Sequence, residues 1–422
     1  MGSNPTRSAD PPGVIAPGGP APPSARLSDV TDLVIRDASV WHEGQWRAED
    51  LACADGVIVE QAATSAAVVD ADGCRAVPGF IDLQCNGALG IDLASEPERL
   101  WELGAVLPRW GVTAWLPTIV TTPPEVVARA LAALAEGPPS GWTGAVPLGL
   151  HLEGPFLSAD KKGAHPAALL REPSLAAIDG WSCDAGVAVV TLAPELPGAL
   201  EVIEALVDRG VRVSLGHSAA TAAQADAAIA AGATWVTHLF NAMGPLHHRE
   251  PGLVGAALAD GRLHVGLIAD GIHVHPGVVA AAQRALGERL TLVTDAVAAL
   301  GVPTGEQQLG RGLVRVGDDG VRLADGTLAG SNLSMDQAVR NLVSFTGCAQ
   351  ETAIAAATDA PARVLDDRSR GHLQPGARAD LVLVSADLEV RTTVIGGVVA
   401  FAAPRANALD AGQTRSARRM RS

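Results

Sequence analysis

Three side chains of metal-ligand type lie at the ends of apolar, strand-like runs in this sequence. Glu153, His217 and His238 occur in the segments LGLHLEGPF, RVSLGHS and WVTHLFNAM. Two imidazoles and one carboxylate are a usual set of protein ligands for a hydrolytic metal ion, which keeps its fourth position for water. A single histidine after an apolar run is commonly structural, but three ligand-type residues in equivalent places favour a site. The sequence therefore predicts a metal-dependent hydrolase.

A fourth polar residue, Asp295, ends the apolar run LTLVTDAV. Two interpretations fit this position. Asp295 caps the N-terminus of a following helix, or it is a general base that takes a proton from the attacking water and later returns it to a leaving amine.

Eight strand-like runs must position these residues. Each is followed by a helical or loop stretch, and several helical stretches end at glycine, a common stop signal for helices. The runs are VPGFIDLQCNG, VTAWLPTIV, VPLGLHLEG, VAVVTLAPE, VRVSLGHS, TWVTHLFN, LHVGLIADG and LTLVTDAV. Eight alternating units over roughly 220 residues predict an α/β fold of the (β/α)8 TIM-barrel type, which typically takes about 250 residues.

The alternative architecture is a doubly wound open sheet. The barrel is favoured because polar residues, including Gln84, Asn86 and Asp270, lie where the runs end, and barrel active sites are built at the carboxyl ends of the strands.

Two local features are also predicted. Thr221 and Gln224 in the segment TAAQ form a capping box at the start of the helix after the fifth strand. The segment VRVGDDGVRLADGT forms a β-hairpin after the eighth strand, with DDG as its turn. Such a hairpin is either a lid or only an addition to the barrel.

Both ends of the folded region have the alternation of short strands. The segments are DLVIRDASV and GVIVEQAA near the N-terminus and ADLVLVSADLEVRTTVIGGVVA near the C-terminus. We expect residues 30–77 and 372–403 to form one small β-sandwich domain beside a barrel of residues 78–371. Residues 1–29 and the basic residues 404–422 are expected to be disordered tails, because the first is rich in Pro, Gly and Ser and the second in Arg.

Composition limits the classes of partner. With a formal net charge of −15 and 48% hydrophobic residues, the chain offers no broad basic surface, so neither nucleic acid nor an anionic membrane is expected as a partner. Five cysteines without a C-x-x-C pair argue against a disulfide framework and favour a reducing compartment. No segment has the pattern of a signal peptide or an apolar run of about 18 residues. We therefore expect a cytoplasmic protein.

A longer set of motifs resembles a known family. HLEGPF, KKGAHP, GHS, THLFNAM, REPGLVGA, ADGIHV, LVTDA, LAGSNLSM and GHLQPGARADLVL occur here in the order typical of the N-acetylglucosamine-6-phosphate deacetylases, within the amidohydrolase superfamily. The resemblance covers about residues 30–403, and THLFNAM followed by REPG is its most specific part. It implies an enzyme that removes acetate from N-acetylglucosamine 6-phosphate and leaves glucosamine 6-phosphate.

The resemblance also implies a division of catalytic roles. Glu153, His217 and His238 would bind one divalent metal ion per subunit, either zinc or iron or another divalent transition metal. Asp295 would be the catalytic acid and base, and His165 would help to polarise the acetyl carbonyl.

For the phosphorylated sugar, the resemblance implies that Arg249 holds the 6-phosphate with help from His273. A guanidinium suits this role because its planar fork matches phosphate oxygens, although an ordinary surface arginine is the alternative. The implied substrate contacts are Ala164, Asn241, Ala242, Arg249, Asp270, Gly271, Ile272, His273, Leu328, Ala329 and Gly330. The resembling enzymes are dimeric, so a homodimer is expected, with Arg249 acting in its own site or in that of a partner.

One departure from many amidohydrolases concerns the first strand, where Gln84-Cys85-Asn86 replaces His-x-His. Side chains alternate along a strand, so Gln84 and Asn86 share the inward face and Cys85 points away. Amides are poor zinc ligands compared with imidazole or carboxylate. A site for one metal ion is therefore predicted.

The remaining histidines have open interpretations. His151 is a barrel-core histidine or supports a ligand, whereas His247, His248 and His275 contact substrate or belong to a solvated loop. Two rival functions also stay open: a deacylase for another N-acyl amino sugar, and a non-catalytic protein built on the same barrel.

Overall fold

A computed structural model describes residues 32–42, 45–309 and 312–404. The predicted tail of residues 1–29 lies outside the described residues, and so does the tail of residues 404–422 apart from Pro404. A barrel sheet and a second, eight-stranded sheet make up most of the described strands.

The N-terminal part of the chain contributes five strands to the eight-stranded sheet. They are β1 (Leu33–His42), β2 (Gln45–Ala54), β3 (Val57–Val59), β4 (Ala67–Asp70) and β5 (Arg75–Pro78). In β1, Leu33 and Ile35 are buried, and so are Ala38 and Val40. The pairing with β2 shifts between Ile35 and Ala38, where Asp37 has a φ of +53°. This bulge keeps the apolar residues on one face on either side of it.

The middle of the chain forms the barrel. Its strands and a small hairpin are β6 (Phe80–Cys85), β7 (Gly87–Ala88), β8 (Ile91–Asp92), β9 (Val112–Val120), β10 (Val146–Pro147), β11 (Leu150–Glu153), β12 (Val187–Leu192), β13 (Arg212–Leu215), β14 (Trp235–Val236), β15 (His264–Leu267) and β16 (Leu290–Leu292). Parallel pairing runs from β6 to β9 and then through β11 to β16. A parallel bridge between Cys85 and Ala296 joins the first strand to the segment after the last. The (β/α)8 barrel predicted from the sequence is thereby confirmed.

Helices cover the barrel. They are α1 (Leu100–Val106), α2 (Pro124–Glu136), α3 (Ala199–Asp208), α4 (Ala222–Ala230), α5 (Gly252–Ala259) and α6 (Pro276–Leu286). Their apolar residues recur at helical spacing, as in α2, which buries Val126, Ala130 and Ala133. The predicted capping box of Thr221 and Gln224 at the start of α4 is confirmed. Between β11 and β12 the chain makes only short 3-10 turns.

After β16 come the predicted hairpin and the return to the small domain. The elements are β17 (Gly305–Leu309), β18 (Gly312–Gly317), β19 (Gly320–Arg322), α7 (Met335–Thr346), α8 (Gln350–Ala357), α9 (Asp359–Leu365), β20 (Leu381–Val384), β21 (Val390–Ile395) and β22 (Val398–Ala402). The hairpin is confirmed and gains β17 as a third antiparallel strand.

The small domain is built from both ends of the described chain. Its strand order is β22-β21-β20-β5-β1-β2-β3, with β4 also paired to β1. Val57 in the edge strand β3 bridges to Arg378, just before β20, so the two halves of the sheet meet around a separate apolar core that includes Ile35, Leu381 and Val394. This is the β-sandwich expected from the sequence. In the part of the chain described here, every helix is too short or too polar to cross a membrane.

Candidate active site

Glu153, His217 and His238 converge at the carboxyl end of the barrel. Glu153 is the last residue of β11. His217 lies two residues after the end of β13, and His238 lies two residues after the end of β14. Nε2 of His217 and Nε2 of His238 each lie 3.0 Å from Oε1 of Glu153, and they are 3.1 Å from each other. All three side chains are buried. Three ligand atoms thus point at one small volume, as a metal site requires.

The backbone after the strands turns the two imidazoles inward. His217 has a φ of +50° and His238 a φ of +29°, left-handed conformations that are strained for residues other than glycine and that cluster at functional sites. Nδ1 of His217 donates to the carbonyl of Lys161 at 2.9 Å. Because this bond places the ring proton on Nδ1, the lone pair of Nε2 is left for a metal ion.

The charge of Glu153 also fits a metal ion. Burial alone would raise the pKa of Glu153, but the hydrogen bonds and charges of His217 and His238 lower it well below its usual range. The carboxylate is therefore ionised, which a ligand to a divalent cation must be. Burial would lower the pKa of His238, but its contact with Glu153 raises it.

Asp295 lies beside this cluster, three residues after β16. Its φ is +46°, and its Oδ1 accepts hydrogen bonds from Nε2 of Gln84 at 3.2 Å and from Nδ2 of Asn86 at 2.8 Å. Burial, followed by the charge of Glu153, raises the pKa of Asp295 to about 6. The next described helix, α7, begins only at Met335, so the interpretation of Asp295 as a helix cap is wrong.

The amide pair of the first strand acts on the two carboxylates. Gln84 and Asn86 both reach Asp295, as two side chains on the same face should, and Nε2 of Gln84 also donates to Oε1 of Glu153 at 3.2 Å. Sγ of Cys85 instead lies 3.9 Å from the carbonyl of Gly87. The amide oxygens of Gln84 and Asn86 are buried, and neither has a partner among the described residues.

Comparisons with known proteins agree with this geometry. The model of the amidohydrolase family matches residues 75–400. An N-acetylglucosamine-6-phosphate deacetylase of Rattus norvegicus is 40% identical over 91% of this chain and 98% of its own length. The chain belongs to the N-acetylglucosamine-6-phosphate deacetylases of the amidohydrolase family. Members of that family depend on metal ions, and Glu153, His217 and His238 are the candidate ligands here.

Two further relatives extend the comparison. An N-acetyl-D-glucosamine-6-phosphate deacetylase mutant of Mycobacterium smegmatis, solved in complex with N-acetyl-D-glucosamine-6-phosphate, is 34% identical, with a TM-score of 0.79 over 88% of this chain and 99% of that one. An N-acetylgalactosamine-6-phosphate deacetylase of Escherichia coli O157:H7 is 42% identical over 87% of this chain and 99% of its own length. The family thus includes enzymes named for two epimeric sugars.

His165 is packed against the cluster on the loop after β11. Its ring lies 4.5 Å from that of His217, measured between centroids. The backbone N–H of Thr121 points at Nδ1 of His165 at 3.3 Å. Oγ1 of Thr121 lies 2.8 Å from the same Nδ1, and a hydroxyl can donate as well as accept. Since a backbone N–H can only donate, Nδ1 is the acceptor of both groups and the ring proton lies on Nε2. Burial and the charge of His217 lower the pKa of His165 to about 3, so the ring is neutral and carries one N–H donor.

Other residues predicted to contact substrate lie on segments that follow the barrel strands. Nδ2 of Asn241 donates to the carbonyl of His238 at 3.1 Å. Gly330 has a φ of +68°, and a Cβ there would lie 2.9 Å from the carbonyl oxygen of Asp295 and 2.3 Å from Cγ1 of Val297. Only glycine therefore lets this segment approach Asp295 so closely. Ala164, Ala242, Gly271, Ile272, Leu328 and Ala329 are all partly or fully exposed at the surface.

Asp270 and His273 form a hydrogen-bonded pair on the segment after β15. Nδ1 of His273 donates to Oδ2 of Asp270 at 2.6 Å, and Oδ1 of Asp270 accepts from the backbone N–H of His273 at 2.8 Å. Burial would raise the pKa of Asp270, but the hydrogen bond from His273 and its charge lower it. The His273 charge also lowers the pKa of Asp295.

Arg249 is not brought to the cluster. It lies on an exposed loop, where its guanidinium donates to Nε2 of His248 at 2.9 Å. Within the described part of the chain it makes no ion pair with a carboxylate. His247 and His248 are likewise exposed.

Two other histidines have structural explanations. Nδ1 of His151 donates to the carbonyl of Leu83 at 3.0 Å, so Nε2 accepts from Oγ1 of Thr191 at 2.7 Å. Burial lowers the pKa of His151 to about 4, and the residue is a satisfied barrel-core histidine. His275 caps α6 by accepting from the backbone N–H of Gly277.

Sequence reasoning missed the residues that hold the site together. Glu195 accepts hydrogen bonds from Oγ of Ser218 at 2.7 Å and from the backbone N–H of Ala219 at 2.6 Å, which fixes the turn after His217. Asp82 is a buried carboxyl group on the face of β6 that also carries Gln84. Strand alternation alone could have identified Asp82, whereas nothing in the sequence pairs Glu195 with that turn.

Proposed function

We propose that this protein hydrolyses the acetamide group of N-acetylglucosamine 6-phosphate and yields glucosamine 6-phosphate and acetate. The observation that carries the proposal is the placement of Asp295, whose pKa is raised to about 6, beside three converging ligand-type side chains at the carboxyl end of the barrel. A carboxyl group tuned in this way suits a proton that must be accepted and later returned.

The proposed metal site comprises Glu153, His217 and His238. A divalent ion held there would lower the pKa of a bound water towards ~7 and would polarise the acetyl carbonyl. We propose zinc, at one ion per chain, because the imidazole and carboxylate set is typical of catalytic zinc and because Gln84 and Asn86 offer only amides where a second ion would need imidazoles.

Asp295 and His165 are the side chains that handle protons in the proposed reaction. In the proposed reaction the water attacks the acetyl carbonyl while Asp295 takes its proton, and the Nε2–H of neutral His165 donates to the carbonyl oxygen as negative charge develops on it. The carbon–nitrogen bond then breaks as Asp295 returns the proton to the sugar nitrogen. Oδ1 of Asp295 is already occupied by Gln84 and Asn86, so Oδ2 is the oxygen left for this exchange.

The phosphate is assigned to Arg249 with help from His273. Support for Arg249 comes from its exposed guanidinium, which forms no ion pair with a carboxylate among the described residues, and from the fork that guanidinium presents to phosphate oxygens. Because Arg249 lies away from the cluster of its own chain, we propose a homodimer in which its loop reaches the partner's site. Light scattering that returns a monomer of 42.9 kDa at micromolar concentration would remove both ideas.

N-acetylgalactosamine 6-phosphate is a second candidate substrate. The Escherichia coli O157:H7 relative named for that activity is about as similar to this chain as the relatives named for N-acetylglucosamine 6-phosphate. The two sugars differ only in the configuration at C4, which is remote from the scissile amide.

Acetate release tests the proposal directly. The purified protein should be assayed with N-acetylglucosamine, its 6-phosphate and N-acetylgalactosamine 6-phosphate. We expect the highest kcat/KM for N-acetylglucosamine 6-phosphate and little turnover of the unphosphorylated sugar. Preference for the galacto epimer would support the second candidate, and equal rates with and without phosphate would contradict both.

We also propose a cytoplasmic location. All five cysteines are free in the described structure, as expected for a protein that works in a reducing compartment. Fractionation of the native cells, followed by detection of the chain with an antibody, would test this.

A further inference from the structure

Asp82 is a buried carboxyl group that the proposed reaction does not use. Only 2% of its surface is exposed. Its Oδ2 accepts a hydrogen bond of 2.5 Å from Oγ1 of Thr294. Its Oδ1 accepts from the backbone N–H groups of Thr294 at 3.3 Å and Gln84 at 3.2 Å. Both hydrogen-bond donors of Thr294 therefore end on the Asp82 carboxyl group.

Thr294 immediately precedes Asp295, so this contact acts on the backbone that carries the proposed acid and base. The N–H of Asp295 donates to the carbonyl of Gln84 at 2.9 Å, and its carbonyl accepts from the N–H of Ser331 at 2.8 Å. Oγ1 of Thr294 accepts from the N–H of Ala296 at 3.1 Å. The donors and acceptors of these three bonds are backbone groups or the neutral Thr294 hydroxyl. Asp82 is the ionisable group that holds this segment.

The backbone conformation of Asp295 needs such support. Its φ of +46° is a left-handed conformation, which costs free energy in a residue with a Cβ and is kept by the surrounding contacts. If Thr294 were released, the backbone of Asp295 could relax and its carboxyl group would turn away from the metal ligands.

We propose that Asp82 is a positioning residue for Asp295, which it holds in its productive orientation by clamping Thr294. This inference rests on the proposed role of Asp295 as acid and base. Among the described residues, Asp82 forms no hydrogen bond or ion pair with the candidate metal ligands, so its effect is transmitted through Thr294.

The clamp does not require a negative charge. Burial raises the pKa of Asp82 to about 7, so near neutral pH part of the protein carries a neutral carboxyl group. A neutral Asp82 can donate to Oγ1 of Thr294 while the Thr294 hydroxyl donates to the carbonyl of Gln84, which lies 3.1 Å away. An asparagine at position 82 can make the same bonds, whereas an alanine cannot.

Steady-state kinetics of Asp82→Ala and Asp82→Asn test the proposal. A misplacement of about 1 Å can cost on the order of 10²-fold in rate, so we expect Asp82→Ala to lower kcat at least tenfold. KM and metal content should stay close to wild type, because the substitution changes neither the proposed phosphate contact nor the proposed metal ligands. Asp82→Asn should recover most of the kcat. An unchanged kcat in Asp82→Ala, or a loss in Asp82→Asn as large as in Asp82→Ala, would overturn the proposal.

A double-mutant cycle with Asp295→Asn separates positioning from general structure. If Asp82 acts through Asp295, then Asp82→Ala should not lower the residual kcat of Asp295→Asn any further. An equal loss in both backgrounds would mean a merely structural role and would overturn the proposal. Thermal unfolding and elemental analysis of each variant show whether the comparison is made on folded protein with its metal.

Thr294→Val covers the case in which Asp82→Ala does not fold, because it removes the hydroxyl that bonds to the Asp82 carboxyl group. Thr294→Ser, which keeps the hydroxyl, is its matched control. A kcat of Thr294→Val equal to that of Thr294→Ser would overturn the proposal. Failure of the proposed function would be recognised separately, since wild type would then release no acetate from either sugar phosphate.

Discussion

Replacing Asp295 with asparagine should remove most of the deacetylase activity and leave the fold and the metal site in place. Asparagine is nearly isosteric with aspartate, and its amide oxygen can take the place of Oδ1 as acceptor for Gln84 at 3.2 Å and Asn86 at 2.8 Å. Glu153, His217 and His238 are not altered by the change. What disappears is the oxygen that would accept the proton.

The size of the loss follows from the role of the proton. A sugar amine is a very poor leaving group until it is protonated, and positioned proton transfer is typically worth about 10²–10⁴-fold in rate. At about 1.4 kcal/mol for each factor of ten, this is an increase of about 3–6 kcal/mol in the activation free energy. We therefore expect kcat to fall by at least a hundredfold.

The pH profile gives a second readout. Asp295 must be ionised to accept a proton, and burial together with the Glu153 charge raises its pKa to about 6. A divalent cation bound beside Asp295 favours the ionised form and lowers that pKa. The acidic limb of kcat/KM in wild type should therefore lie at or below about pH 6, and it should be absent from the variant.

The assay is acetate release from N-acetylglucosamine 6-phosphate, with elemental analysis and thermal unfolding on the same preparations. Asp179→Asn, at an exposed carboxylate outside the candidate site, is the matched control and should behave as wild type. Retention of more than about a tenth of the wild-type kcat in Asp295→Asn, with normal metal content, would refute the assignment. His165 would then be the next residue to test for proton transfer.

Three further predictions concern the phosphate, the metal and the buried carboxyl group. Arg249→Ala should raise KM for the phosphorylated sugar about ten- to a hundredfold or more, the equivalent of roughly 1.5–3 kcal/mol for a charge-assisted contact, and unchanged discrimination between the sugar and its 6-phosphate would exclude Arg249 as the clamp. Elemental analysis after dialysis should find about one metal ion per chain because Gln84 and Asn86 offer amides; two equivalents that both persist would contradict this. For Asp82, a pKa raised from the ordinary 3.8 to about 7 means that the neutral form is favoured in the folded state, so the stability it contributes is present at low pH and is lost as the pH rises through 7. Between about pH 5 and 8, the free energy of unfolding of metal-free wild type should thus fall by about 3 kcal/mol relative to that of Asp82→Asn. A difference between the two proteins that does not change with pH in denaturant unfolding would show that the group is not buried as an acid.

The sequence by itself determined the barrel and the identity of the residues at its carboxyl end. Alternation and helical spacing are local patterns, so the eight strand-like runs could be recognised one at a time. A closed parallel barrel then brings all its strand ends to one face whatever the details of packing. For this reason Glu153, His217 and His238 could be assigned to one cluster although they lie far apart in the chain, and the same reasoning put Gln84 and Asn86 on a common inward face.

Only the tertiary structure decided how these residues are held and where Arg249 lies. The bond between Asp82 and Thr294 joins residues separated by 212 positions, and Nδ1 of His165 meets Thr121 across 44 positions. Neither pairing leaves a periodic pattern, because each depends on the twist and register of strands that meet only after the barrel closes. The loop of Arg249 is a similar case. Its exposure follows from the path of the chain between β14 and α5, and the local preferences of the residues in REPG do not predict that path.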